Sequence, residues 1–387
     1  PPRSTLFPYT TLFRSFSDAE ADGLRKILTK KNREERLAAY RERFREGALR
    51  NGVEAAAADE IWTMIRSFDG YSFCKAHSAS YAMVSFQSAC LKAHHPAEFM
   101  AAVLSNGGGY YSSGAYISEA RRMKLSVGGP DVNESELRYR GRGNEIRVGL
   151  MAVAGLSTAT LRALLHERAR GGPFASAEDY VARVAPTEGD LVALAGAGAF
   201  DALLGGMRRF EQLRELLRIA AGRADARTGA DAPGLFAPEP RQRPRGRRAA
   251  LTMDELKAEF ERLGFLCEHH PLELWREALA GLSRSRGCEL PGLVGRRVRL
   301  AGWPVTRKEI LNARGDAMEF VSFEDETAIF ETVLFTEQYR AFAGVIDGLR
   351  PCILEGVVEN GQGALSLTVK AVRPLPAVRV PAPARRG

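Results

Sequence analysis

The chain has 387 residues, 45% of them hydrophobic and 26% charged, with a formal net charge of +8 and an isoelectric point near 9.4. That length predicts several domains rather than one, in an ordinary globular composition. No apolar run reaches the ~20 residues of a membrane span and no cleavable signal peptide is visible; the positive charge favours an anionic partner, most commonly nucleic acid.

In chain order, residues 5–15 read TLFPYTTLFRS. This resembles the translation of a common sequencing-adapter oligonucleotide, so residues 1–15 are expected to be an artefact and the natural protein to begin further upstream; a native disordered N-terminus is the alternative. Residues 17–50 carry Leu24, Ile27, Leu28, Leu37, Tyr40 and Phe44 at helical spacing. Residues 54–68 form a second helix ended by Asp69-Gly70, and a long helix covers 76–94. Pro96 suits the first turn of a helix over 96–104, and 115–124 gives another. LSV with GGPDVNES reads as a short strand and turn. From Ile146 a strand-like or tight-turn segment, IRVGLMAVAGL, feeds the helix STATLRALLHERARGG. A similar unit, GDLVALAGAGAFDALLGG, follows, and a helix over 207–221 closes the block. Residues 222–250 lack hydrophobic periodicity and read as an exposed basic linker. Helices over 252–263 and 271–280 precede short strands, with one helix, TEQYRAFAGVI, among them. With RRVRLAGWPV and KEILNA counted as one bent strand, the order is three strands, helix, two strands, that of a five-stranded OB barrel. The expected divisions are a helical part 16–140, a hairpin part 141–221, the linker, a connector 251–290, a barrel 291–373 and a disordered tail 374–387.

The five cysteines (Cys74, Cys90, Cys267, Cys288 and Cys352) form no CxxC pair and have no histidines at zinc-ligand spacing. Reduced, cytosolic thiols are expected. The stretch YSFCKAHSASYAMVSFQSACLKAHHPAEFMAAVLSN, 71–106, is the most specific. Lys75, His77, Ser78 and Tyr81 stand near a helix start, where a point charge, free N–H groups and the dipole favour anions. His77 and Tyr81 share a face extended by Val84 and Ser88. Taken alone, His77 fits a packing role better than a ligand's. Lys92 lies too far along the helix to share their ligand and is a candidate DNA contact, as are Arg121 and Arg122, for which an exposed helix face is the alternative. Tyr81, Phe86 and Phe99 fit a core better than stacking platforms, and His94-His95 a helix end better than a metal pair.

VGLMAVAGLSTATLRALL resembles a helix-hairpin-helix, with Gly149, Gly155, Ser157 and Thr158 at the positions where backbone approaches phosphate. Ser157 stands where the common hairpin has its second glycine. Gly196 and Gly198 belong either to a second hairpin or to an ordinary helix cap. The barrel's usual binding loops map near Asn312–Asp316 and Glu359–Gly363, without obvious stacking aromatics. No Asp-x-Asp pair is present to hold two metal ions, and Glu324-Asp325-Glu326 sits at a strand end.

The 71–106 stretch, followed by YISEARRM, PDVNES and a strand leading to GL, resembles the fingers segment of bacterial C-family DNA polymerase III alpha subunits, replicative or error-prone. The resemblance continues through the C-terminal domains. It implies an α+β multidomain chain: a helical fingers region, a helix-hairpin-helix block and a C-terminal five-stranded OB-like β-barrel. It further implies a cytoplasmic DNA-directed DNA polymerase, a nucleotidyltransferase of replication or damage-tolerant repair, with Lys75, His77, Ser78 and Tyr81 near the incoming nucleotide and template. Implied partners are primer-template and single-stranded DNA, deoxynucleoside triphosphates, other replisome subunits, and a sliding clamp docked on Leu235-Phe236, although the usual leading Gln is missing. Mg2+ is implied for the full-length enzyme but not for these residues, so the piece alone is expected to bind DNA without polymerising. The competing reading is a non-enzymatic single-stranded DNA-binding module; 71–106 speaks against it, because a simple binder needs no nucleotide-facing helix.

Overall fold

The computed structural model describes residues 16–28, 34–67, 75–107, 109–227, 250–312, 314–346, 350–361 and 363–377. Residues 1–15, most of the expected linker and most of the expected tail lie outside the described residues. Contacts divide the chain into two units, Pro1–Cys90 and Leu91–Gly387.

The first unit is helical. α1 (Asp18–Leu28), α2 (Glu34–Arg50) and α3 (Ala55–Ser67) bury Phe16, Leu24, Leu28, Leu37, Phe44, Trp62 and Ile65 against one another. The run over 17–50, which reads as one helical pattern, is thus two helices. Gly47 is buried within α2, and the turn comes at Asn51-Gly52, where the Asn51 side chain donates to the Gly47 carbonyl at 2.9 Å. α4 (Lys75–His94) starts in this unit. Tyr81 and Phe86, expected in a core, are exposed on it.

In the second unit α5 (Pro96–Asn106) has Pro96 in its first turn and ends at Gly107 in the left-handed region. Phe99, on α5, does pack against a core. α6 (Ser113–Arg122) is capped by Ser112, whose hydroxyl accepts from the Ala115 N–H. A small sheet follows, of β1 (Ser126–Gly128), β2 (Arg140–Arg142) and β3 (Glu145–Arg147), with β3 central, parallel to β1 and antiparallel to β2. Met100, Ile117, Ile146 and Phe265 are buried in the core that joins these elements. The hairpin block adds α7 (Thr158–Gly171), α8 (Ala177–Val184), α9 (Glu188–Gly196) and α10 (Arg209–Arg227) around Leu164, Tyr180, Leu194, Phe200 and Leu216. The connector is α11 (Met253–Leu263), begun by a Thr252–Glu255 capping box. It continues as a 3-10 turn, Pro271–Trp275, and a single turn of helix, α12 (Arg276–Leu279), where the pattern predicts one helix.

The C-terminal part is a closed five-stranded barrel. It comprises β4 (Arg297–Leu311), β5 (Ala317–Glu324), β6 (Ile329–Leu334), α13 (Thr336–Ile346), β7 (Cys352–Gly361) and β8 (Ala364–Pro374), in the order β4-β5-β6-β8-β7. β6 and β8 pair in parallel while the other pairs are antiparallel, as in an OB fold. β4 joins the two sequence segments into one strand, with a register shift between Pro304 and Thr306, next to a residue with no N–H to give the ladder. Alternate residues point inward: Val298 and Leu300, Val321 and Phe323, Leu367 and Val369 fill the barrel.

Candidate nucleic-acid interface

The first hairpin turn is exposed and built by a buried carboxylate. Gly155 has φ +85°, a conformation that suits glycine. Gly155, Ser157 and Thr158 are all exposed. Ser157 caps α7, its hydroxyl accepting from the Thr160 N–H at 3.2 Å. Asp190, in the first turn of α9 and only 1% exposed, accepts from the Ser157 N–H at 2.7 Å and the Ser157 hydroxyl at 3.1 Å. It also accepts from the Thr160 hydroxyl at 2.7 Å and the Thr187 hydroxyl at 2.6 Å. One carboxylate therefore clamps the starts of α7 and α9 together. Burial by itself would raise the Asp190 carboxyl; the hydrogen bonds from Thr187, Ser157 and Thr160 outweigh it and hold the group below the usual carboxylate range. The clamp also occupies the Ser157 N–H, so that donor is turned to Asp190 rather than outward.

The turn is braced from behind. In PDVNES, Asp131 accepts from the N–H groups of Asn133 and Glu134, while Asn133 exchanges two bonds with the Phe174 backbone. Arg168 of α7 donates to the carbonyls of Val132 at 2.8 Å and Ser135 at 2.7 Å. The second glycine pair differs from the first. Gly196 ends α9, and Gly198 is buried at φ +81° over the Arg209 guanidinium, which pairs with Asp201 at 2.9 Å and Glu259 at 3.0 Å. This is a helix end packed on an internal ion pair.

The other candidate residues divide. Lys75 opens α4, but its side chain lies outside the described residues. His77, Ser78 and Tyr81 are exposed, with the His77 and Tyr81 rings edge to face at 4.5 Å. Their shared helix face is thus seen. These residues and the hairpin belong to different units. Lys92 pairs with Glu119 at 3.3 Å. Arg121 points inward and donates to the carbonyls of Leu266 and His269. Arg122 bonds Glu119 at 3.2 Å and Glu324, at the end of β5, at 3.2 Å. Neither arginine lies on an exposed helix face. Leu235 and Phe236 lie outside the described residues.

The acidic run is structural in its bonding. Glu324, 2% exposed, also accepts from the Ser118 hydroxyl at 3.1 Å, so it fastens α6 to the barrel. Asp325 accepts from the N–H groups of Gly287, Thr327 and Ala328, and Glu326 pairs with Arg284. Among the described residues no group of three or more His, Cys, Asp or Glu side chains is placed to hold a metal ion. On the barrel, Asn312, Gly315 and Asp316 lie between β4 and β5, and Asn360, Gly361 and Gly363 lie at the turn from β7 to β8. Trp303 packs on Phe260 and Trp275, Phe323 and Phe330 stack inside, and only Phe320 and Phe335 among these strand aromatics are exposed.

Sequence reasoning missed Asp190 and Arg262, which borders Gly155. A signal for Asp190 existed: Thr187-x-x-Asp190 is a capping-box pattern.

A helix-hairpin-helix motif family model matches residues 124–211. The error-prone DNA polymerase of Anaeromyxobacter sp. (strain K) is 36% identical over 374 residues, covering 93% of this chain and 32% of that protein. DNA polymerase III subunit alpha of Thermus aquaticus is 36% identical over 368 residues, covering 90% of the chain and 29% of that protein. DNA polymerase III subunit alpha of Pseudomonas aeruginosa is 34% identical over 390 residues, covering 93% and 33%. Over nearly all of its own length the chain is homologous to bacterial error-prone DNA polymerases and DNA polymerase III alpha subunits, about a third of whose length it spans.

Proposed function

We propose that the chain supplies DNA-holding domains of a DNA-directed DNA polymerase, acting in replication or damage-tolerant synthesis in the cytoplasm. The observation that carries this is the exposed Gly155–Thr158 turn, lying inside the segment that matches the helix-hairpin-helix model. A hairpin of this kind holds the DNA backbone without reading sequence, so it serves an enzyme that must move along any template. His77, Ser78 and Tyr81, exposed on α4, and Lys75 at its start are proposed to face template and deoxynucleoside triphosphate. Of the proposed DNA contacts, Gly155, Ser157 and Thr158 fit best. Lys92, Arg121 and Arg122 are engaged within the fold and are proposed to shape the DNA-facing surface rather than to touch it. Mg2+ and the paired carboxylates belong to the whole enzyme, and a sliding clamp is proposed to dock on Leu235-Phe236.

The test is a fluorescence-anisotropy titration of primed and single-stranded DNA at several salt concentrations. Tight binding whose affinity falls steeply with salt is expected. Absent or salt-insensitive binding contradicts the reading. With Mg2+ and nucleotides added, the chain alone is expected to extend no primer; extension would contradict the assignment of the catalytic carboxylates to other residues.

A further inference from the structure

The connector helix places an arginine at the hairpin turn. Arg262, in the last turn of α11, gives its backbone carbonyl to the Ala154 N–H at 2.8 Å, which joins connector and hairpin. Its side chain runs across two glycines. A Cβ on Gly196 would stand 3.2 Å from Arg262 Cγ, and one on Gly155 would stand 3.2 Å from Arg262 Nη1. The stem thus lies over the end of α9 and the guanidinium reaches the exposed turn before α7. Neighbouring arginines are neutralised: Arg208 by Glu255, Arg209 by Asp201 and Glu259. Among the described residues no carboxylate pairs with Arg262, and its nitrogens are not among the buried unpartnered atoms. A partly buried stem fixed by packing, ending in an uncompensated and reachable guanidinium, is an arrangement suited to bidentate capture of a phosphate oxygen pair.

We propose that Arg262 is a DNA-backbone ligand of the hairpin, supplied from outside the hairpin segment, at a turn where the Ser157 N–H is already engaged by Asp190. The inference rests on the hairpin reading above and adds the ligand and its chemistry, a phosphodiester. Two variants separate the two claims. Thr158→Glu puts a carboxylate on the exposed first turn of α7, where the helix dipole tolerates it but a phosphate does not. Arg262→Gln removes one cation and leaves no ion partner stranded. In the anisotropy titration on the full chain, Arg262→Gln should weaken binding to any sequence by roughly 5-fold and reduce the salt slope by about 1. Arg262→Lys should restore the slope while recovering only part of the affinity, because the charge returns without the fork. If Thr158→Glu weakens binding and Arg262→Gln does not, the hairpin reading stands and this inference is overturned. If neither weakens it, both fall. Unchanged thermal melting of Arg262→Gln is expected; a loss of affinity that tracks a loss of fold would overturn the assignment in favour of a packing role.

Discussion

At the residue scale, buried carboxylates do more to shape the interface than the exposed cations do. Asp190 faces donors on every side, so Asp190→Asn turns an amide N–H toward the hydroxyl and N–H groups of Thr187, Ser157 and Thr160. Chemical denaturation should show a loss of about 1–3 kcal/mol, the cost of leaving buried donors unmatched. A variant as stable as the parent would contradict the clamp. The pH dependence has a definite sign. The folded Asp190 carboxyl lies below its ordinary value, near ~3.9 when unfolded, so its contribution is complete above that pH and is lost as pH falls through the folded value. Acid titration of stability should show a component below about pH 4 that is missing in Asp190→Asn. Arg122 illustrates the same point. Its charge is spent on Glu324, which is 2% exposed, so Arg122→Ala should cost about 3 kcal/mol by stranding a buried carboxylate. DNA affinity per folded molecule should hardly change; a specific loss of affinity with full stability would return Arg122 to the DNA surface.

At the element scale, legibility followed periodicity. α5, α6, α7 and α11 and the barrel strands were readable because apolar residues recur at helical spacing or alternate, and because Pro96, Gly107 and Gly264 mark helix ends. α8 was not read: AEDYVARV is short, and its place is fixed by Tyr180 packing between Phe174 and Phe200, a contact no local pattern shows. The expected 271–280 helix is a 3-10 turn followed by the short α12, and in the 3-10 turn Leu272, Leu274 and Trp275 are all buried. The exposed turn at Gly155 and the α7 start at Ser157 and Thr158 were legible from the turn signature. Asp190 and Arg262 were not assigned, since they reach the turn from 33 residues away in the first case and from a separate helix in the second. The inward course of Arg121 and Arg122 depends on the carbonyls of Leu266 and His269 and on Glu324, which only the tertiary fold brings to α6. Glu324→Gln should loosen α6 from β5, and limited proteolysis should then cut sooner near residues 107–112. An unchanged cleavage pattern would mean that the Ser118 and Arg122 bonds do not hold the two elements together.

At the scale of the whole molecule, the +8 charge is not spread evenly in effect, because many arginines are neutralised inside the fold. The proposed DNA-facing surface is the braced hairpin with the Arg262 guanidinium beside it. The chain spans about a third of its polymerase relatives, and its proposed role is to hold the nucleic acid for chemistry carried out by other residues. Amide hydrogen exchange with and without primed DNA tests that claim most directly. The account predicts slowed exchange at residues 154–162 and in the last turn of α11, weakened by Thr158→Glu. DNA that binds while leaving exchange across 154–162 unchanged would contradict it.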